Sequence, residues 1–149
     1  MTKSILVGLL LTVATVGIHA VGTSWWVLRL ARDGRDDARR QRPIQTLCAT
    51  ATVLLSLQIC EVVVWAIAYL LLPTLDEVNT IEQAVYFSTV TFTALGYGDI
   101  VLTSSWRLLA AIQAMAGLLI FGWSTAVFFA VCREYWLNDL VSTPPTDSH

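Results

Sequence analysis

The chain has 149 residues, of which 56% are apolar and only 13% charged, and this balance lies outside the range of soluble globular domains. A soluble fold of this size could not bury so much apolar surface, so the composition indicates an integral membrane protein. The formal net charge of -2 and three cysteines without metal-ligand spacing give no indication of nucleic-acid binding, a metal cluster or a disulfide framework.

The first predicted element is a transmembrane helix within residues 1–30. Residues 5–28 carry no charge, and about 20 helical residues suffice to cross about 30 Å of hydrocarbon. A signal peptide is the rival interpretation, because Lys3 precedes the apolar run and Ala20 could lie at a cleavage site. The run is longer than the apolar region of a signal peptide, which favours a retained span. Within it, His19 is expected to be a hydrogen-bonded packing residue.

A basic loop, residues 31–43, is predicted next. Arginines crowd this part of the chain, from Arg29 to Arg42, and the positive-inside rule places it in the cytoplasm. The amino terminus is then expected outside and the carboxyl terminus inside. The arginines could also bind anionic lipid head groups, although their effect on topology would explain them alone.

The second predicted span is the helix 44–72, which contains one ionisable residue, Glu61. A carboxylate within a membrane costs a few kcal/mol on insertion scales, about 2.5–3.5, so it should face protein. We expect a structural hydrogen bond to the helix that follows or to the third span, with proton transport as the alternative.

A short helix is predicted after the second span. Asn79 and Thr80 can cap a helix that begins near Ile81, and Glu82 or Gln83 can complete a capping box. A helix that ends near Thr93 is about 20 Å long, too short to span the membrane, so it should be re-entrant. The following segment, Leu-Gly-Tyr-Gly-Asp at 95–99, cannot face lipid as irregular backbone, and it should line a polar path. A tight turn at the membrane interface is the simpler alternative.

The third predicted span covers 106–135, and residues 137–149 are expected to form a disordered cytoplasmic tail. No span has the regularly spaced arginines of a voltage sensor. The 95–99 segment is not repeated, so a closed pore would need several copies of the chain.

Residues 84–99, together with the segments Trp106-Arg107-Leu108-Leu109 and Phe121-Gly122-Trp123-Ser124-Thr125, resemble the small bacterial potassium channel family with an extra amino-terminal span. The resemblance covers roughly residues 59–135. It implies an all-α membrane protein with three transmembrane helices. A re-entrant pore helix and a selectivity-filter loop, within 79–99, would lie between the second and third. The pore domain would span 44–136 and assemble as a tetramer.

The resemblance also implies roles for individual residues. The filter would bind K⁺ through backbone carbonyls, with no other metal or cofactor, at Ala94, Leu95, Gly96, Tyr97 and Gly98. Supporting roles fall to Tyr86, Phe87, Thr93 and Asp99. Among these, Tyr97 would brace the strand against Tyr86 and Phe87, and Asp99 would tie the filter mouth to the back of the pore helix. Ala94 departs from the family, which usually has threonine there and uses its hydroxyl in the innermost coordination ring.

Five residues of the third span are candidates for the cavity wall or the gate: Gly117, Leu118, Phe121, Thr125 and Phe129. Hydrophobic constrictions can close a pore by dewetting, so Phe121 or Phe129 could form the gate. For Gly117 and Gly122, close helix packing is the alternative to a hinge. For the apolar set, the alternative is packing or lipid contact.

The predicted function is therefore passive potassium conduction through a homotetrameric pore. The expected partners are three identical subunits, the lipid bilayer and monovalent cations, and the expected location is the bacterial inner membrane. An enzyme is not expected, because the few ionisable residues are scattered over both membrane faces. One alternative is a weakly selective or non-conducting channel-like subunit, because of Ala94. Another is a membrane scaffold or sensor.

Overall fold

The computed structural model describes residues 2–33, 43–72, 77–103 and 106–142. These residues form four α-helices and no β-strand: α1 (Thr2–Asp33), α2 (Pro43–Leu71), α3 (Ile81–Phe92) and α4 (Arg107–Ser142). Three helices are long and apolar enough to cross a membrane, over Thr2–Arg32, Pro43–Leu71 and Arg107–Glu134. The predicted all-α fold with three candidate spans is thus confirmed, and the short α3 lies between the second and third.

Two predicted segments differ from the structure or fall outside it. Helix α4 continues to Ser142, so residues 137–142 extend α4 and are not the expected disordered tail. The reason is that no glycine or proline lies between Gly122 and Pro144 to end the helix. Residues 143–149 and the arginine-rich segment 34–42 lie outside the described residues, as do positions 73–76.

Helix α3 is wedged between α2 and α4, and the core of the protein surrounds it. The ring of Phe87 meets that of Tyr69 edge-on, with centroids 5.0 Å apart. A buried chain of hydrogen bonds runs alongside: Tyr69 donates to Gln113 Oε1 at 2.7 Å, Gln113 Nε2 donates to Ser88 Oγ at 2.8 Å, and Ser88 donates to the Val62 carbonyl at 2.8 Å. Polar groups in hydrocarbon need such partners, so these bonds fix the depth and rotation of α3.

Helix α1 packs against both α2 and α4 through a face of small and polar residues. Its buried side chains include Ser4, Thr15, His19 and Thr23, while apolar residues such as Leu10 are exposed on the other side. Small residues let transmembrane helices approach closely, and the opposite face is suited to lipid.

The partner of Glu61 differs from the one expected. Its carboxylate lies 2.9 Å from His19 Nδ1, and both side chains are fully buried. The direct contact is therefore with the first span, and the prediction of a bond to α3 or to the third span is wrong. A hydropathy pattern reports that a residue must face protein but not which helix will meet it.

Candidate functional site

A capping box starts helix α3. Thr80 is the N-cap, with extended backbone (φ -122°, ψ 156°), and its hydroxyl accepts a hydrogen bond from the Gln83 N–H at 3.2 Å. In return, Gln83 Oε1 accepts from the Thr80 N–H at 3.3 Å. Of the pairs that the sequence left open, Thr80 with Gln83 is the one formed. Twelve helical residues then give a length of about 18 Å, which is less than a membrane span.

The carboxyl end of α3 is a Schellman motif centred on Ala94. The Leu95 N–H donates to the Val90 carbonyl and the Ala94 N–H donates to the Thr91 carbonyl, both at 3.0 Å. Ala94 has φ 56°, the left-handed conformation that the motif requires at the residue after the C-cap. Glycine usually occupies this position, because a Cβ costs about 1–2 kcal/mol there. No local sequence pattern predicts this role for Ala94.

In the irregular segment 94–98, called the strand below although it belongs to no β-sheet, the sign of φ alternates. It is positive at Ala94 (56°), Gly96 (55°) and Gly98 (78°), whereas the intervening Leu95 and Tyr97 have negative values. In an ordinary extended strand successive carbonyls point to opposite sides. A change in the sign of φ at every second residue breaks that pattern and allows successive carbonyls to turn toward one side. The segment can therefore present a row of backbone oxygens.

The side chains of this segment project away from their own chain. Tyr97 is 68% exposed and Leu95 is 55% exposed. The bracing of Tyr97 against Tyr86 and Phe87 therefore stays a prediction, and in the single chain the Phe87 ring is buried against Tyr69. Thr93 lies at the C-cap, and its hydroxyl donates to the Thr89 carbonyl at 2.8 Å.

Asp99 is tied to helix α3 by one short hydrogen bond. The Tyr86 hydroxyl donates to Asp99 Oδ2 at 2.7 Å, which is the kind of link that the resemblance implied. Accepting this bond lowers the pKa of Asp99 and raises the pKa of Tyr86. The strand is thus fastened to α3 at both ends, through the Schellman bonds at one and the Asp99 carboxylate at the other.

A second clamp, missed by the sequence analysis, joins the turn before α3 to the loop after the strand. Glu77 Oε1 accepts hydrogen bonds from both the backbone N–H (3.0 Å) and the hydroxyl of Thr103. These bonds lower the pKa of Glu77. The two residues are 26 positions apart, so no local pattern could have paired them.

Behind the strand lies a cavity of about 270 Å³, open at one side, between α3 and the start of α4. Its walls include Tyr86, Val90, Gly96, Asp99 and Arg107. The back of the strand is therefore only partly packed by its own chain.

Helix α4 passes directly beneath the end of α3. A Cβ built on Gly117 would lie 1.9 Å from the Phe92 carbonyl oxygen, so Gly117 is a close-packing glycine. Phe121 also contacts Phe92, with ring centroids 5.8 Å apart. The remaining wall and gate candidates, Leu118, Thr125 and Phe129, share one exposed face of α4.

The described geometry is a half-length helix, a strand with alternating φ and the long helix α4. A family model matches this part of the chain. The model of the ion channel family matches residues 57–134, just over half of the chain. The chain belongs to the ion channel family. The match begins within α2 and covers α3, the strand and most of α4, so α1 lies outside it. No curated protein and no solved structure is significantly similar to this ion channel family member.

Proposed function

We propose that the protein is a subunit of a homotetrameric, potassium-selective channel, in which residues 94–98 form the selectivity filter. The observation that supports this best is the alternation of φ along Ala94, Gly96 and Gly98 directly after a half-span helix. Membership of the ion channel family, together with three apolar candidate spans, supports passive ion transport in a membrane.

Dehydration of the ion explains why such a backbone suits the task. A cation that enters hydrocarbon must exchange its hydration shell for other oxygens, and rings of backbone carbonyls supply them without adding fixed charge. Carbonyls that all face one side of a strand would form such rings when several strands meet around an axis. Potassium would be the transported substrate, and no further metal or cofactor is proposed.

Helix α3 adds an electrostatic contribution. A helix carries roughly half a negative charge at its carboxyl end, and α3 directs that end toward the middle of the spans, against Gly117 of α4. Its Schellman bonds use the Val90 and Thr91 carbonyls but leave the helix dipole in place. Four such ends around an axis would stabilise a cation in a central cavity.

Several copies are needed because each chain supplies a single filter strand. In one copy, Leu95, Tyr97 and the α4 face formed by Leu118, Thr125 and Phe129 are all exposed. We propose that three identical subunits cover or face these surfaces. The bilayer would cover the apolar side of α1.

The proposed location is the bacterial inner membrane. Arg29 and Arg32, at the end of α1, would lie on the cytoplasmic side. Glu77 and Asp99 would then lie outside and attract cations to the mouth of the filter. The amino terminus would be external.

Ala94 defines how this filter would differ from its relatives. Without a hydroxyl, its ring would offer backbone oxygens alone, so the innermost ion should be held more weakly or be partly hydrated. Ala94→Thr would add the hydroxyl, although a β-branched residue at positive φ is disfavoured.

Reconstitution into liposomes tests the proposal. Efflux of K⁺ should exceed that of Na⁺, and Gly98→Ala should abolish it, because φ 78° is strained for any residue with a Cβ. Gly122→Ala is the control, since a Cβ there meets nothing within 4 Å. Equal K⁺ and Na⁺ flux would indicate a weakly selective pore, and no flux from correctly assembled protein would contradict the proposal. Recovery of selectivity in Ala94→Thr would attribute the loss to the missing hydroxyl.

A further inference from the structure

Four polar side chains from three helices form a hydrogen-bonded chain within the candidate spans. His19 of α1 lies at its centre, with Nδ1 2.9 Å from Glu61 Oε1 of α2 and Nε2 3.1 Å from Ser124 Oγ of α4. Gln58 of α2 donates to the same Ser124 oxygen at 3.0 Å. All four side chains are buried, and the Trp123 ring meets His19 edge-on with centroids 5.9 Å apart. His19 thus bridges both pore-domain spans.

Interhelical hydrogen bonds contribute to the association of helices in a membrane. Lipid tails are as apolar as the helices, so helix association depends on close packing and on interhelical hydrogen bonds. Helix α1 is bonded to α2 at a second level, where Trp26 Nε1 donates to Thr50 Oγ1 at 3.1 Å. The link from His19 to Ser124 ties the same helix to α4.

The position of Ser124 on α4 gives this link its importance. Ser124 lies seven residues beyond Gly117, about 10 Å further along the helix from the contact with Phe92. Phe121 and Thr125, two of the candidate wall or gate residues, flank it. Any displacement of this part of α4 away from α1 must break the bond from His19 to Ser124.

The carboxylate of Glu61 is bonded to His19, so a displacement of His19 also affects Glu61. Among the described residues its Oε2 has no hydrogen-bond partner, so it is held through Oε1 by His19 alone. The orientation of the imidazole and the anchoring of the carboxylate therefore depend on each other. One displaced helix would disturb the contacts of all three.

We propose that His19, Glu61 and Ser124 form a latch that holds the inner helix α4 against α1, and that this latch sets the balance between open and closed pores. The inference rests on the proposed channel function. His19 and Glu61 are positioning residues that act through Ser124, and α1 is a built-in regulator of the pore as well as a membrane anchor.

Single-channel recording of the reconstituted full chain tests the latch. Ser124→Ala removes the hydroxyl. His19→Asn places an amide at the position of Nδ1, but the asparagine side chain is too short to replace Nε2. Both variants therefore lose the bond between α1 and α4. His19→Asn should change the ratio of open to closed time about fivefold, the shift that one net hydrogen bond produces. Ser124→Ala, which also removes the acceptor of the Gln58 bond, should change the ratio in the same direction and by at least as much. Conductance and selectivity should stay unchanged.

Matched variants separate a latch from general destabilisation. His19→Gln keeps a polar group at the distance of Nε2 and should shift the ratio less than His19→Asn. Thr23→Ala is the control, because this buried hydroxyl donates at 2.7 Å to the His19 carbonyl of its own helix. It should leave gating unchanged. The double variant of His19→Asn and Ser124→Ala should shift the ratio no more than Ser124→Ala alone.

The outcomes distinguish the latch from the channel itself. An increase in open time identifies the latched state as closed, and a decrease identifies it as open. Unchanged gating in Ser124→Ala and His19→Asn, or additive shifts in the double variant, would overturn the latch while leaving the channel function intact. Absence of any current from the wild-type protein would overturn both.

Discussion

Replacing Gly117 by alanine should separate α4 from the end of α3. The added Cβ would lie 1.9 Å from the Phe92 carbonyl oxygen, 2.8 Å from its carbonyl carbon and 3.1 Å from its Cα. All three neighbours are backbone atoms, so no side-chain rotation can relieve the overlap. The two helices must move apart instead.

The size of the displacement follows from ordinary contact distances. A carbon and a carbonyl oxygen approach to about 3.3–3.6 Å, so the overlap of Gly117→Ala requires a shift of about 1.5 Å. Overpacking of a tight core costs about 1–3 kcal/mol, and a contact between two backbones should lie near the upper end. A loss of about 3 kcal/mol corresponds to a fall in Tm of about 6–12 °C for a chain of this size.

Thermal unfolding of the purified protein, followed by K⁺ flux, measures both consequences. Flux should fall as well, because the strand begins two residues after Phe92. Gly122→Ala, in the same helix, is the control: its Cβ meets nothing within 4 Å, and alanine favours helix over glycine by about 1 kcal/mol. If Gly117→Ala unfolded at the wild-type temperature and conducted normally, the close approach of α3 and α4 would be refuted.

Three further predictions concern the supports of the strand. Tyr86→Phe should return the pKa of Asp99 toward its ordinary value of 3.8. In the wild type, the bond from Tyr86 to Asp99 stabilises the fold above that pH, and this stabilisation is lost as pH falls through the lowered pKa of Asp99. Thermal unfolding as a function of pH should show a stronger acid dependence for the wild type than for Tyr86→Phe, and identical curves would contradict the bond. Thr80→Ala should destabilise the protein by about 1 kcal/mol in thermal unfolding through loss of the N-cap, and no change would mean that the capping box contributes nothing. Gln113→Leu should cost about 1–3 kcal/mol in thermal unfolding, because it removes the acceptor of the buried Tyr69 hydroxyl and a donor to Ser88. A neutral result would show that neither bond contributes to stability.

Local patterns were enough to predict much of the fold. Apolar length alone located the three spans, because the membrane thickness sets how many helical residues each needs. The capping box at Thr80 and Gln83 is likewise a contact between neighbours in sequence. The glycines at 96 and 98 marked the irregular strand, since both adopt positive φ.

The contacts that were missed depend on how the helices dock. Glu61 was expected to face protein, yet its partner His19 lies 42 residues away on a helix whose rotation no hydropathy pattern fixes. For Gly117 the sequence allows both a hinge role and a packing role, and only the approach of Phe92 identifies the packing. For Ala94 the sequence indicates a missing hydroxyl. It does not indicate the left-handed backbone conformation, which follows from the way α3 ends.

The backbone of Ala94 is subject to two constraints. The residue that ends α3 is also the first of the proposed coordinating residues, so its backbone must satisfy a rule of helix termination and a rule of ion geometry at once. An engineer who wished to retune the innermost oxygen ring could therefore not do so independently of α3. Any residue placed at position 94 must first adopt the left-handed backbone conformation. Glycine adopts it readily but has no side-chain oxygen to offer the ion.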